Sequence, residues 1–294
     1  MRKIPGPAGR PGSEGVGAGP GGGGHSGPGR ERPEGLGAPL EGIRGFLLDL
    51  DGVLYVGDTP VPGAIEALRD LRKRGFPVRF VSNSTRRSRA SVASRLRTMG
   101  FSIDEKEILT PAVAAAFQLR NEGKTAFLVT TGDAEQDFKQ SGVRLTADHP
   151  DVIIVGDAGD TFTYELLNHA MRMMLGGAEL IALERDRTWM GAGGPMLSAG
   201  PFVAALEYAT GKEATCVGKP SPGFFAAALE GLEINASGSA MVGDDIETDV
   251  GGAQQCGMQG ILVRTGKFRE ETLAGSGVSP DLVIDSVADL PDLL

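Results

Sequence analysis

Cysteine is nearly absent. The 294 residues contain two, Cys216 and Cys256, and neither belongs to a CxxC pair. That pattern excludes a disulfide framework and leaves two free thiols in a reducing, cytoplasmic compartment. Histidine is as scarce: His25, His149 and His169 are scattered, and no His/Cys set has the spacing of a zinc site. No run approaches the roughly 20 apolar residues of a membrane span. No apolar stretch of roughly 7–15 residues follows the early basic residues, as a secretory signal requires. A soluble protein with no membrane partner is expected. Positive charge is also in deficit, with 29 Lys+Arg against 38 Asp+Glu and a formal net charge of −9. Phosphate backbones demand basic stripes, so nucleic acid is not expected as a partner. The one basic cluster, Arg86-Arg87 with Arg89, Arg95 and Arg97, falls on a predicted helix and reads as a solvated face.

Residues 1–40 carry Gly21-Gly22-Gly23-Gly24, many further glycines and prolines, and almost no large apolar side chains. Such a segment buries too little apolar surface to offset its ordering entropy and reads as a disordered tail. About 250 residues remain, enough for a core plus a smaller domain. From residue 43 onward, short apolar runs alternate with helical stretches. Strands are expected at 43–50, 77–81, 124–130, 151–155, 178–183, 214–217, 239–242, 260–263 and 282–284. Helices are expected at 62–74, 84–99, 162–175, 201–208, 222–229 and 248–256, with Thr110-Pro111 as N-cap and first residue of another. Residues 191–200 read as a small-residue loop. This rhythm predicts an α/β protein with parallel sheets and helices packed on their faces.

In such sheets ligands bind beyond the carboxyl ends of the strands, and four expected strand ends carry suitable groups. Asp49-Leu50-Asp51-Gly52 sets two carboxylates two residues apart after an apolar strand, which is costly unless a cation or proton offsets them. Ser82-Asn83 offers a hydroxyl, an amide and backbone N–H groups near a helix start, although such residues are also ordinary caps. Lys219 stands between Gly218 and Pro220 and can neutralise a phosphate and a neighbouring carboxylate. Gly243-Asp244-Asp245 with Asp249 repeats the acid-after-strand pattern. Two acidic strand ends in one sheet can share a magnesium ion, which prefers one or two carboxylates plus water and phosphate oxygens.

Taken together, DLDGVLY (49–55), SNST (82–85), GKP (218–220) and GDDIETD (243–249) resemble the four motifs of the haloacid dehalogenase superfamily. The match is nearest to its NagD-like branch, and within it to the phospholysine phosphohistidine inorganic pyrophosphate phosphatase group and its hydrolase-domain relatives. Asp249-Val250-Gly251-Gly252-Ala253-Gln254 and Arg264-Thr265-Gly266-Lys267 strengthen that likeness, while Asp245 stands where many NagD-like proteins have arginine. The resemblance implies a Rossmann-like core at 41–110 and 211–294 with an inserted α/β cap at 111–210. It implies a magnesium-dependent phosphatase acting on a small phosphorylated metabolite. Asp49 would be the nucleophile and Asp51 the general acid and base; dehalogenases of the superfamily lack an acid at the latter position. Magnesium would be held by Asp49, the Asp51 carbonyl and Asp244. Lys219 would offset charge, Ser82 and Asn83 would bind phosphate, and Asp249 would orient Lys219 or water from behind. A homodimer formed through the cap also fits the resemblance, though no residue pattern points to one.

The competing reading is a catalytically silent phosphate-binding or regulatory protein of the same fold. Four intact motifs and Asp51 favour the enzyme. In the cap, the 191–200 loop and Thr130-Thr131-Gly132 are candidates to face the core site, while Asp157 and Asp160 read as turn residues.

Overall fold

The computed structural model describes residues 40–191 and 193–294. The expected tail, apart from its last residue, lies outside the described residues. The chain runs β1 (Gly45–Asp49), β2 (Tyr55–Val56), β3 (Thr59–Pro60), α1 (Ala64–Lys73), β4 (Val78–Val81), α2 (Arg89–Thr98), β5 (Ile108–Leu109) and α3 (Pro111–Glu122). It continues through β6 (Ala126–Val129), α4 (Glu135–Gln140), β7 (Val152–Val155), α5 (Tyr164–Leu175), β8 (Glu179–Ala182), β9 (Thr188–Gly191), β10 (Gly194–Leu197), α6 (Gly200–Thr210) and β11 (Thr215–Cys216). The last third holds α7 (Pro222–Glu230), β12 (Ser239–Gly243), α8 (Gly252–Gln255), β13 (Gln259–Val263), α9 (Glu270–Gly275) and β14 (Leu282–Ile284).

Two parallel sheets organise these elements. The larger has the order β14-β13-β12-β1-β4-β5 and the smaller β11-β8-β7-β6. This is a Rossmann-like core with an α/β cap, as the family resemblance implies. In the core, β1 is central and buried at every residue, which is why it reads as an unbroken apolar run. Phe46, Leu48, Phe80 and Val242 pack on one face, and Leu47, Phe224, Phe225 and Met241 on the other. In the cap, Ile154, Ile181 and Phe138 fill one side of the sheet and Ile153, Met174 and Leu206 the other. Among the described residues, no helix is long and apolar enough to cross a membrane.

Four expectations require correction. The helix expected from residue 84 begins at Arg89, so Arg86 and Arg87 precede it. Ser88 caps that helix, its hydroxyl accepting from Ser91 N. The first turn has no acid of its own; two cap acids supply acceptors instead. Asp133 accepts from Ser88 N at 2.7 Å and Asp137 from Arg89 N at 3.0 Å. Free N–H groups at a helix start need such partners, and these lie 45 and 48 residues away in sequence. The 191–200 loop is instead the second half of a hairpin, since β10 pairs antiparallel with β9. The strand at 214–217, read with the core, pairs with β8 in the cap sheet. The helix expected at 248–256 is a wide π-type turn, Ile246–Gly251, followed by the short α8. There Asp245 accepts from both Glu247 N and Thr248 N, so local side-chain bonds compete with a regular first turn.

Phe80 is fully buried in β4 beside the central strand. Phe80→Ala should lower the unfolding free energy by about 3–5 kcal/mol, read from the midpoint of urea denaturation.

Candidate active site

The register of the core sheet aligns its strand ends. Leu48 lies opposite Val242 of β12, and Asp49 opposite Val81 of β4. The residues that leave the sheet at these ends, Asp49, Ser82 and Asp244, therefore share one edge. Lys219 arrives differently, on the loop where the chain returns from β11 of the cap sheet. Its ammonium is buried, 2.5 Å from Asp49 Oδ1 and 2.6 Å from Asp249 Oδ1. Asn83 fixes the lysine's backbone from both sides: its amide nitrogen donates to Lys219 O at 3.0 Å, and its Oδ1 accepts from Lys219 N at 2.8 Å. A side chain at 218 would collide with Leu183 O and Asn83 Oδ1, which explains the glycine before the lysine. Ser82, also buried, accepts from Ser84 N at 3.1 Å.

Asp49, Asp244 and Asp249 form one buried carboxylate cluster, each offering an oxygen within 4.8 Å of the others. Asp244 sits in a cradle made by two glycines with positive φ. A Cβ at Gly52 would lie 2.0 Å from Asp244 Oδ2, and one at Gly266 would lie 2.1 Å from it. No other residue type fits both the backbone and the space. The Thr265 hydroxyl donates to Gly52 O, tying the two loops together. Lys267 N donates to Asp244 Oδ2 at 2.7 Å, and Oδ1 keeps no hydrogen bond among the described residues.

The charges do not balance. Three buried carboxylates face one buried ammonium, Lys219. Burial alone would lower the Lys219 pKa, but Asp249 and Asp49 outweigh it and hold the ammonium protonated. Burial and the charges of Asp49 and Asp249 push Asp244 up to about 8. Burial, offset in part by Lys219, raises Asp249 to about 6 and also raises Asp49. Buried hard oxygen donors in excess negative charge suit a hard divalent cation such as magnesium. Both Asp249 oxygens are already used, by Lys219 and by Asp245 N at 3.2 Å. Asp49 and Asp244 are therefore the side chains free to hold such an ion, and Asp249 buttresses the lysine.

Asp51 differs from these. It is exposed at the mouth of the site and makes no side-chain hydrogen bond among the described residues. Its main chain pairs with Tyr55, and Gly52 N donates to Tyr55 O at 2.7 Å. The β2–β3 hairpin is in turn clamped by Arg95, 4.5 Å over the Tyr55 ring and 2.8 Å from Asp58. Loss of water around the Asp51 carboxyl raises its pKa despite Arg95, Lys267 and Arg87. A carboxyl whose pKa is raised by burial is suited to proton donation.

The cap meets this edge through residues of mixed legibility. The 130–132 turn packs against the core segment before α2, where a Cβ at Gly132 would lie 2.0 Å from Arg86 O. Asp157 is more than a turn residue, since it takes a forked ion pair from Arg86 at 2.9 and 3.0 Å, while Asp160 stays exposed. Arg86 also lies 5.2 Å from the Trp189 ring of β9. Arg86, Arg89 and Arg95 thus have fixed acidic partners and are not a solvated face. Sequence reasoning missed Asp186 as well. The buried Glu184 accepts from Asp186 N, the Ser198 hydroxyl and Ala199 N, and so fixes the loop after β8. Burial raises the Asp186 carboxyl, and the charges of Lys267, Asp245 and Lys219 act on it. No local motif marks it.

Gly52→Ala should reduce magnesium affinity at least tenfold by displacing Asp244, with both strain and contact acting at that position. Calorimetric titration checks this, with circular dichroism as a control for folding.

The described geometry has counterparts in known proteins. A family model described as haloacid dehalogenase-like hydrolase matches residues 46–144, and a second HAD-hydrolase-like model matches residues 216–290. The chain is 39% identical over 264 residues to human phospholysine phosphohistidine inorganic pyrophosphate phosphatase, covering 88% of this chain and 96% of that protein. The structure of NagD from Escherichia coli superposes with a TM-score of 0.78 at 28% identity, covering 86% of this chain and 99% of that one. Glycerol phosphate phosphatase Rv1692 from Mycobacterium tuberculosis, solved in complex with magnesium, gives a TM-score of 0.77 at 27% identity, covering 87% and 78%. With its acidic strand ends, its buried lysine and an inserted cap of the same architecture, this chain belongs to the haloacid dehalogenase-like hydrolases, in their NagD-like branch.

Proposed function

We propose that this protein is a cytoplasmic, magnesium-dependent phosphatase that hydrolyses a small phosphorylated metabolite through an aspartyl-phosphate on Asp49. The observation that carries this reading is the 2.5 Å contact between Asp49 and Lys219 inside a carboxylate cluster. A nucleophilic carboxylate must stay ionised while a dianionic phosphate approaches. The lysine beside it, buried and protonated, meets that need. We read the cap as the insertion from residue 111 to the end of β11, a few residues beyond the 210 that the sequence implied, because β11 completes the cap sheet.

In the first half-reaction, an Asp49 oxygen attacks phosphorus and forms the acyl-phosphate bond. The bond from phosphorus to the leaving oxygen breaks, and the Asp51 carboxyl gives that oxygen its proton. In the second, water attacks the same phosphorus. Asp51 takes its proton back, the acyl-phosphate bond breaks, and Asp49 is regenerated as carboxylate with free phosphate. Ser82 and backbone N–H groups at Asn83 hold a non-bridging oxygen. Lys219, positioned by Asn83 and Asp249, offsets charge on Asp49 and the phosphate. Asp49 and Asp244, with the Asp51 carbonyl, would hold magnesium, which supplies charge neutralisation so that anions can meet. The human relative named above is a phospholysine, phosphohistidine and inorganic pyrophosphate phosphatase, so phosphoramides and pyrophosphate belong in the substrate panel.

Phosphate release should appear with magnesium, vanish with chelator, and vanish in Asp49→Asn. Asp51→Asn should lower kcat by roughly 10²–10⁴ while retaining magnesium binding. Release without magnesium, or full activity in either variant, would overturn the assignment.

The titration of Asp244 gives a separate expectation. Its carboxyl is pushed up to about 8 by burial and like charge, so near pH 7 the metal-free protein carries a proton there that a cation must displace. Magnesium affinity should rise with pH through 6–8 and level off above. Calorimetry at pH 7 in buffers of different ionisation enthalpy should report proton release on binding.

A further inference from the structure

Of the four acids Asp49, Asp51, Asp244 and Asp249, only Asp51 makes no side-chain hydrogen bond among the described residues. Its carboxyl is also exposed, so its place is set by the main chain that carries it. That main chain leans on the hairpin that follows. Asp51 is bridged to Tyr55, and the Gly52 N–H donates to Tyr55 O at 2.7 Å. The peptide joining Asp51 to Gly52 is planar, so this bond to Tyr55 O fixes its orientation.

The β2–β3 hairpin is too short to hold itself. It has two residue pairs, Tyr55 with Pro60 and Val56 with Thr59, and an isolated two-stranded ladder is marginal even when longer. Support comes from Arg95 in the last turn of α2. Its guanidinium lies 4.5 Å from the centre of the Tyr55 ring. One terminal nitrogen donates to Gly57 O and to Asp58 Oδ1, the latter at 2.8 Å. A guanidinium can meet an aromatic face and two oxygens at once, which an ammonium does less well. The Asp58 pair alone, on the surface, would hold little; the ring and the Gly57 carbonyl are what make the contact a clamp. Arg95 is itself firmly based, because Val92, Ala93 and Leu96 bury α2 in the core.

We propose that Arg95 is a positioning residue for proton transfer: through Tyr55 and the β2–β3 hairpin it holds the Asp51 carboxyl in reach of the leaving oxygen. This rests on the phosphatase reading of the site. Arg95 touches neither phosphate nor leaving group, so its effect must pass through Asp51. The proton that Asp51 gives matters according to what departs. 4-Nitrophenolate leaves readily as an anion, whereas a more basic phenolate needs the proton as its bond to phosphorus breaks. A misplaced acid therefore costs most with the most basic leaving group.

The test measures kcat/KM on the full chain with magnesium for aryl phosphates of similar size: 4-nitrophenyl, phenyl and 4-methoxyphenyl phosphate. Wild type should vary little across the series. Arg95→Met should lose roughly tenfold or more on phenyl phosphate and far less on 4-nitrophenyl phosphate, so that the dependence on leaving-group basicity steepens. Arg95→Lys should recover part of the difference. In an Asp51→Asn background, adding Arg95→Met should steepen the series no further, because the two changes act on one proton transfer. Circular dichroism and thermal melting check folding, and Arg95→Lys carries the comparison with wild type if Arg95→Met unfolds. An equal loss on every substrate, or a further steepening without the Asp51 carboxyl, would overturn the positioning role and leave the phosphatase intact. No release from any of the three by wild type would overturn the phosphatase reading, and the role of Arg95 with it.

Discussion

The buried ion pair between Lys219 and Asp49 is the contact on which the rest of the site depends. The two residues come from different sheets' termini, and their meeting requires the chain to pass through the whole cap and return beside β1. Burying an ammonium is unfavourable unless its partners are close and fully bonded. Here Asp49 and Asp249 lie at 2.5 and 2.6 Å, and Asn83 holds the lysine's backbone. Removing Lys219 would leave two buried carboxylates without their cation, so the elements carrying these residues are mutually constrained. The cluster remains short of positive charge even so. A folded protein tolerates that shortage because protons or a cation complete it, which makes the metal part of the electrostatic design of the site.

Glycine makes this crowding feasible. Asp244 approaches backbone at Gly52 and Gly266 more closely than any Cβ would allow, and Asp249 does the same at Gly243. Glycines clear room for carboxylates after both strands: Gly52 after β1 for Asp244 from the neighbouring strand end, and Gly243 at the end of β12 for Asp249 of the turn that follows it. Parallel strand order puts the two runs side by side.

These features explain what the sequence discloses. The core residues Asp49, Ser82, Asn83, Lys219, Asp244 and Asp249 lie at ends of apolar runs, and buried parallel strands advertise themselves by such runs. The α/β class and most strands are legible for the same reason. The cap contacts are not, because their logic is long-range. Arg86 and Arg87 look alike in sequence, yet Asp157 sits past a cap strand end 71 residues from Arg86 and pairs with only that one. The start of α2 moved to Arg89 because Asp133 and Asp137 satisfy its free N–H groups, and no local pattern encodes a cap supplied from another sheet. The β9–β10 hairpin was hidden by glycines and small residues with weak strand preference. Asp186 carries no signal of its own, since its position follows from how Glu184 anchors the loop around it.

The same long-range contacts bear on how the cap can select substrates. Asp133, Asp137 and Asp157 each bind the core segment at 85–91, and that segment continues directly from Ser82 and Asn83. A cap joined to the core through the phosphate-holding loop cannot shift without disturbing that loop. Selection by large opening and closing would then disrupt the geometry that the chemistry needs. Selection by fixed charges around the mouth would not. The mouth carries fixed charges: Asp51 is exposed there, and Arg95 is held over the Tyr55 ring and against Asp58. A carboxyl and a guanidinium near the mouth give the site a polarity that an uncharged leaving group does not exploit. The arrangement therefore favours recognition of the leaving group by charge over recognition by enclosure.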